Sequence, residues 1–198
     1  MPQLSLTDFV DIVSKSGTPK ATKVREVKYR PAYTPASDYY KKIKHAIIAC
    51  HKHNLPISTL EDAATNTSKH KIQNYMTICN GYTKWLSAKK TVWISPPCFT
   101  FEHAGVAVNI NPELGLSINN QYYYIKLYFK AEKLTKNRID IINYLMKNCL
   151  CGLTSDSTSV AVLDIRNSRL IKDHSNNSAL SALIKAELSY ISSLWDDL

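Results

Sequence analysis

The stretch LGLSINNQYYYIKLYFK, residues 114–130, constrains the fold of this chain more than any other. Two runs of strand-forming residues flank Asn119-Asn120, and asparagine is among the few L-residues that accept the positive φ of a two-residue hairpin turn. Such a turn fixes the pairing. Ile118 falls opposite Gln121, Leu116 opposite Tyr123 and Leu114 opposite Ile125, so apolar side chains meet on one face. On the other face Ser117 meets Tyr122, Gly115 meets Tyr124 and Glu113 meets Lys126. A slip of one residue would invert both faces, so the hydrophobic pattern itself selects this register.

The second strand has two unlike sides. Tyr123, Ile125, Leu127 and Phe129 make an ordinary core face, whereas Tyr122, Tyr124, Lys126, Tyr128 and Lys130 alternate aromatic rings with cations. An open face of that kind suits single-stranded nucleic acid, because bases stack on the rings while ammonium groups meet phosphates. The same residues also serve a plain solvent-facing strand, since tyrosine has high strand propensity and lysine discourages edge-to-edge aggregation.

Hydrophobic spacing places the remaining elements. Apolar residues at helical intervals predict helices over about 7–15, 37–52 (capped by Ser37), 68–87, 135–148 and 178–195, with a short turn of helix after the capping-box pair Ser58 and Glu61. Strands are predicted at TVWIS, GVAVNI, the hairpin and VAVLDI. Between the first two helices, KSGTPKATKVREVKYRPAYTP carries six basic residues against one acid, and its three prolines predict an extended arm. Helices, then a meander, then helix, strand and helix imply a single α+β domain. Its antiparallel β-meander of about four to six strands packs against helices on one face. Residues 1–36 form an N-terminal helix plus the basic arm, 37–90 a basic helical part, and 91–198 the sheet with its covering helices.

Charge is distributed unevenly along this plan. The chain of 198 residues has a formal net charge of +9. Residues 1–90 hold 15 Lys or Arg and 6 Asp or Glu, a difference of +9, and residues 91–198 hold 10 of each. A basic half of this kind fits a polyanionic partner: nucleic acid, single-stranded for preference, or an acidic protein, with homo-oligomerisation as a further use of the surface. Lys20, Lys23, Arg25, Lys28 and Arg30 would contact phosphates along the arm, and Lys41, Lys44 and Lys52 would extend that surface.

The candidates for chemistry are few. Five glycines leave no glycine-rich phosphate loop, and SGTPK at 16–20 reads as a helix stop and turn. Cys50, His51 and His53 cluster without the second ligand pair a structural zinc requires, and Cys50 falls on a buried stripe. Five cysteines, an odd number, read as reduced thiols of a cytoplasmic protein, with no metal and no cofactor. The absence of a long apolar run excludes a membrane span.

Glu113 facing Lys126 admits a sharper idea. The local order of helix, meander, helix and strand is similar to the core of metal-dependent nucleases of the restriction-endonuclease type. There an acid on one strand faces a second acid and a lysine on the next. In that resemblance Glu113 is the first acid and Lys126 the lysine that orients the attacking water. Tyr124 occupies the place of the second acid and is a poor ligand for a hard cation. Asp164 and Glu102 are the other acids the fold could bring near. The resemblance implies a divergent or inactive nuclease-like core. The expectation favoured by the whole sequence is a non-catalytic nucleic-acid-binding module.

Overall fold

The structure is a computed structural model, which describes residues 1–31, 38–150, 158–173 and 179–198. In chain order the elements are β1 (Gln3–Ser5), α1 (Leu6–Val13), α2 (Gly17–Lys28), α3 (Lys41–Lys52), α4 (Ser58–Thr65) and α5 (Lys69–Leu86). Then come β2 (Thr91–Ile94), β3 (Phe99–His103), β4 (Val106–Ile110), β5 (Leu114–Ile118) and β6 (Gln121–Tyr128). The chain ends with α6 (Lys136–Leu150), β7 (Ser159–Asp164), β8 (Arg169–Lys172) and α7 (Ala179–Asp197). The predicted cap at Ser37, the rest of the arm over 32–36, the thiol of Cys151 and the start of the last predicted helix lie outside the described residues.

The hairpin has the expected register. Leu114 pairs with Ile125, Leu116 with Tyr123 and Ile118 with Gln121. Asn119 and Asn120 carry φ of 51° and 67°, as a turn matched to strand twist requires. Around it lies a five-stranded sheet in the order β2-β5-β6-β7-β8, beside a three-stranded sheet, β1-β4-β3. The fold is α+β, but the sheets are mixed. β6 and β7 are parallel, as are β1 and β4, and the other pairings are antiparallel. Parallel neighbours need a crossover, and α6 supplies it between β6 and β7.

Helices cover the five-stranded sheet on both faces, where the sequence pattern predicts one. Tyr123, Ile125, Leu127 and Phe129 pack with Ala161, Leu163 and Ile165 against α3, α4 and α5. Tyr124 and Tyr128 pack with Val160 and Val162 on the opposite side, against α1, α6 and α7 and next to the small sheet. The run VAVLDI carries this signal: a strand apolar on both of its faces is buried on both, and only Asp164 interrupts the apolar run. All of Val160–Ile165 is buried.

The basic arm is the second correction. Gly17–Lys28 is helical, not extended. Pro19 lies in the first turn, where the backbone N–H has no intrahelical partner and the fixed φ of proline fits. Gly17, at φ +56°, takes the left-handed conformation that lets the chain leave α1 and start α2. Val24 is fully buried and anchors α2 in the core shared with α1 and α7. Pro31 follows just beyond the last turn. β1, β3 and β8 are also absent from the predicted list, each a strand of three to five residues.

Candidate nucleic-acid interface

The tyrosine–lysine face of β6 is an interior surface. Tyr124 is 3% exposed and Tyr128 8%, so neither ring can receive a base. The Tyr128 hydroxyl donates to the Glu132 carbonyl at 2.7 Å, and desolvation raises its pKa. Tyr122, at the hairpin end of the strand, is 42% exposed and keeps an accessible ring. Lys130 ion-pairs with Asp11 on α1. Tyrosine is ambiguous in a strand pattern because its ring buries as well as that of phenylalanine while its hydroxyl reaches for the rim.

Lys126 is held in place. Its ammonium donates to Glu113 Oε1 at 2.6 Å and to the Asn111 carbonyl at 3.1 Å. Glu113 Oε2 accepts the Leu127 backbone N–H at 2.8 Å. The carboxylate thus ties the loop before β5 to the carboxyl-terminal part of β6, and both side chains are mostly covered. Asp164 is engaged by the Asn167 side-chain amide at 2.8 Å, and Glu102 is exposed on β3. Among the described residues no group of three or more His, Cys, Asp or Glu side chains could hold a metal ion.

The cations named from the α2 segment are largely spent inside the molecule. Lys20 pairs with Glu187 on α7 at 2.7 Å, Lys23 with Glu26 at 2.8 Å and Arg30 with Asp8 at 2.6 Å. Lys28 donates to the Trp195 carbonyl at 2.5 Å. Lys23–Glu26 lies within α2, and the other contacts fasten the α2 segment to α1 and to the C-terminal helix. Burial raises the Asp8 pKa, but the Arg30 and Ser5 hydrogen bonds outweigh it and hold the carboxyl below its usual range. Arg25 is exposed on α2. α2 and α3 belong to layers on opposite faces of the large sheet, so the α2 cations and Lys41, Lys44 and Lys52 do not form a single surface.

The helical layer α3–α5 carries an excess of positive charge. Residues 38–90 contain nine lysines and three acids. The apolar side of every helix is used against the sheet, which turns the lysines outward. Lys42, Lys52, Lys69, Lys84 and Lys90 are exposed, and His45, His53 and His70 lie among them. Lys41 is half-buried at the start of α3, and Lys44 pairs with Asp38 at 3.0 Å. At the edge of this layer Lys71 lies 4.7 Å above the Tyr39 ring, which touches Tyr40 and His70. Lys42 and Lys84 were within reach of sequence reasoning, because each lies away from an apolar stripe already recognised.

Of the histidine and cysteine candidates, Cys50 and His51 pack into the interior, and His53 is exposed. Tyr82 is completely buried, and desolvation pushes its pKa far up, so its hydroxyl keeps the proton. It lies 2.5 Å from His51 Nε2, and Thr91 Oγ1 lies 3.2 Å from Nδ1. A phenol donating to Nε2 satisfies its own buried proton and leaves Nδ1–H to donate to the threonine. Burial lowers the His51 pKa from 6.5 to about 4. Cys50 is buried and points its thiol at the Pro56 carbonyl. Burial likewise pushes the Cys149 thiol up to about 11, which removes nucleophilic character.

His51 makes a pH prediction. Between the unfolded and folded values the unfolded chain binds the extra proton, so stability is at its full level above about pH 6.5 and falls as the pH drops toward about 4. The loss attributable to this side chain is about 2–3 kcal/mol. Urea midpoints across that window should fall less steeply in His51→Gln than in the parent protein. Parallel slopes would show that the His51 proton is not linked to folding.

Among the described residues no helix is long and apolar enough to cross a membrane. Set against known proteins, the chain matches no family model, no curated protein and no solved structure.

Proposed function

We propose that the protein is a non-catalytic nucleic-acid-binding module whose contact surface is the outer side of α3–α5. The observation that carries this reading is the nine-to-three excess of lysines over acids across 38–90, with seven of the lysines on α3 and α5, helices whose inner sides are used by the core. Exposed lysines on α3 and α5 form a surface for phosphates, and phosphate contact dominates nucleic-acid affinity. Arg25 and the paired α2 cations face elsewhere and are secondary. With Tyr124 and Tyr128 in the core and Tyr122 on the side of the sheet away from α3–α5, a preference for single strands rests on the Tyr39 cluster.

A fluorescence-polarisation titration against single- and double-stranded oligonucleotides tests the reading. Binding at low salt should weaken by about tenfold or more between roughly 50 and 200 mM salt. The triple substitution Lys52→Gln, Lys69→Gln, Lys84→Gln should flatten that dependence, whereas Arg25→Gln should leave it nearly unchanged. No binding at low salt would remove the proposal.

A second reading has its own support. β5, β6, the α6 crossover and parallel β7 follow the order of the nuclease core, with Glu113 and Lys126 in contact. With Tyr124 in place of the second acid, it describes an inactive relative of that core. Magnesium- or manganese-dependent cleavage that disappears in Glu113→Ala would instead make it an enzyme.

A further inference from the structure

The parallel strands β6 and β7 part company at their carboxyl ends. β6 leads toward α6 through 129–135, and β7 turns back into β8 through 165–168. Crevices of this kind, outside the carboxyl ends of neighbouring parallel strands, are recurrent ligand sites. Here the divergence leaves a cavity of about 250 Å³ between the two connections. Its apolar floor includes Leu134, Ile139 and Ile171, and its polar rim includes Lys130, Lys133, Asp164, Arg166 and Arg169.

The charges on this rim do not cancel. Lys130 is neutralised by Asp11, and Glu132 is taken by Arg138. Among the described residues no carboxylate pairs with Lys133, Arg166 or Arg169, and Asp164 meets only the backbone and side-chain amides of Asn167. Three cations against one carboxylate leave an excess of two positive charges. Arg166 is oriented in advance: its Nε donates to the Phe129 carbonyl at 2.8 Å and its Nη2 to Asn74. Its Nη1 donors remain for a ligand, so part of the ordering cost of binding is already met.

We propose that this cavity binds a small phosphomonoester, its dianionic phosphate held by Lys133, Arg166 and Arg169. The charge excess equals that of the dianion, and arginine forks suit its oxygens. The volume lies just under the usual small-molecule range of about 300–1,000 Å³, which admits a phosphate with a few carbons and excludes a dinucleotide. Asp164 is positioned to accept a ligand hydroxyl, and the apolar floor receives the carbon skeleton. The same chemistry occurs on a free sugar phosphate and on the 5′-phosphate end of a nucleic-acid strand.

Calorimetric titration with ribose 5-phosphate tests the site, with ribose as the control. Saturable binding of the phosphate and none of ribose is expected. The double substitution Lys133→Ala, Arg169→Ala, which removes two exposed rim side chains, should weaken that binding at least tenfold. No binding of ribose 5-phosphate at millimolar concentration, or unchanged affinity in the double variant, would overturn the proposal. Oligonucleotides bearing a 5′-phosphate or a 5′-hydroxyl then separate the sources. A preference for the phosphorylated end that the double variant loses assigns the site to strand ends, and equal binding of the two assigns it to the free metabolite. Binding of the 5′-hydroxyl oligonucleotide reports on α3–α5 alone, so either reading can fail while the other stands.

Discussion

Replacing Gly81 by alanine should destabilise the protein by about 3 kcal/mol or more, against the direction helix propensity predicts. In an isolated helix the change would gain about 1 kcal/mol. Here α5 crosses the exit of β7 so closely that a Cβ on Gly81 would lie 2.1 Å from the Ile165 carbonyl oxygen and 3.0 Å from its carbon. Both atoms are backbone, so no rotamer change relieves the overlap, and either α5 or the β7–β8 turn must move. That turn is also tied to α5, because Ser168 Oγ donates to the Gly81 carbonyl at 2.8 Å. Denaturant and thermal unfolding measure the effect. A loss of this size lowers the midpoint temperature by about 6–12 °C in a chain of this length. Asn80→Ala, at the exposed neighbouring position, should stay within about 0.5 kcal/mol. A Gly81→Ala protein as stable as the parent would mean that α5 does not approach the strand in this way.

Asp11→Ala should cost about 3 kcal/mol, through the charge it strands. Arg138, on the first turns of α6, is 4% exposed. Its guanidinium donates to Asp11 Oδ1 at 2.8 Å and to both Glu132 oxygens at 3.1 Å. The second Asp11 oxygen accepts from Lys130. A single carboxylate on α1 thus bridges two cations that fix the start of α6 and the end of β6. Without it, Arg138 stays buried with Glu132, the more exposed of its partners. Breaking a buried ion pair from one side is costlier than replacing both partners by apolar groups of similar volume. The double variant Asp11→Leu, Arg138→Met should therefore be more stable than Asp11→Ala, and a urea denaturation series reads both. The cost should change little with salt, since buried pairs are poorly screened. A single-variant cost below about 1 kcal/mol would show the pair to be solvated.

The hairpin was legible because all its determinants are local. Asn119 and Asn120 accept the turn, and the alternation in 114–129 tolerates a single register. The apolar stripes of α3, α5, α6 and α7 were legible for the same reason, at a period of 3.6 in place of 2. α2 was misread because prolines were weighed by number. Pro19 breaks a helix from its interior but not from its first turn.

The candidate interface was legible only in its charge. Lys20, Lys28 and Arg30 read as phosphate contacts until their partners are known, and those partners are Glu187, Trp195 and Asp8. Two of the three lie more than 160 positions away, at separations of 167 residues. The rim of Arg166, Arg169 and Lys133 had no motif to reveal it. It arises where two parallel strands diverge, and the parallel pairing itself was not predicted.

By itself the amino-acid sequence determined which residues pair across the hairpin, which side of each major helix is apolar, and the confinement of net positive charge to the first ninety positions. Those properties follow from turn geometry, side-chain periodicity and composition, all settled within a few residues along the chain. The tertiary structure alone decided that the tyrosines at 124 and 128 are interior, that α2 spends its cations on α1 and α7, and that α3–α5 keep theirs exposed. Exposure and ion pairing depend on which distant elements pack together, and a strand with two buriable faces does not encode which of them will be covered.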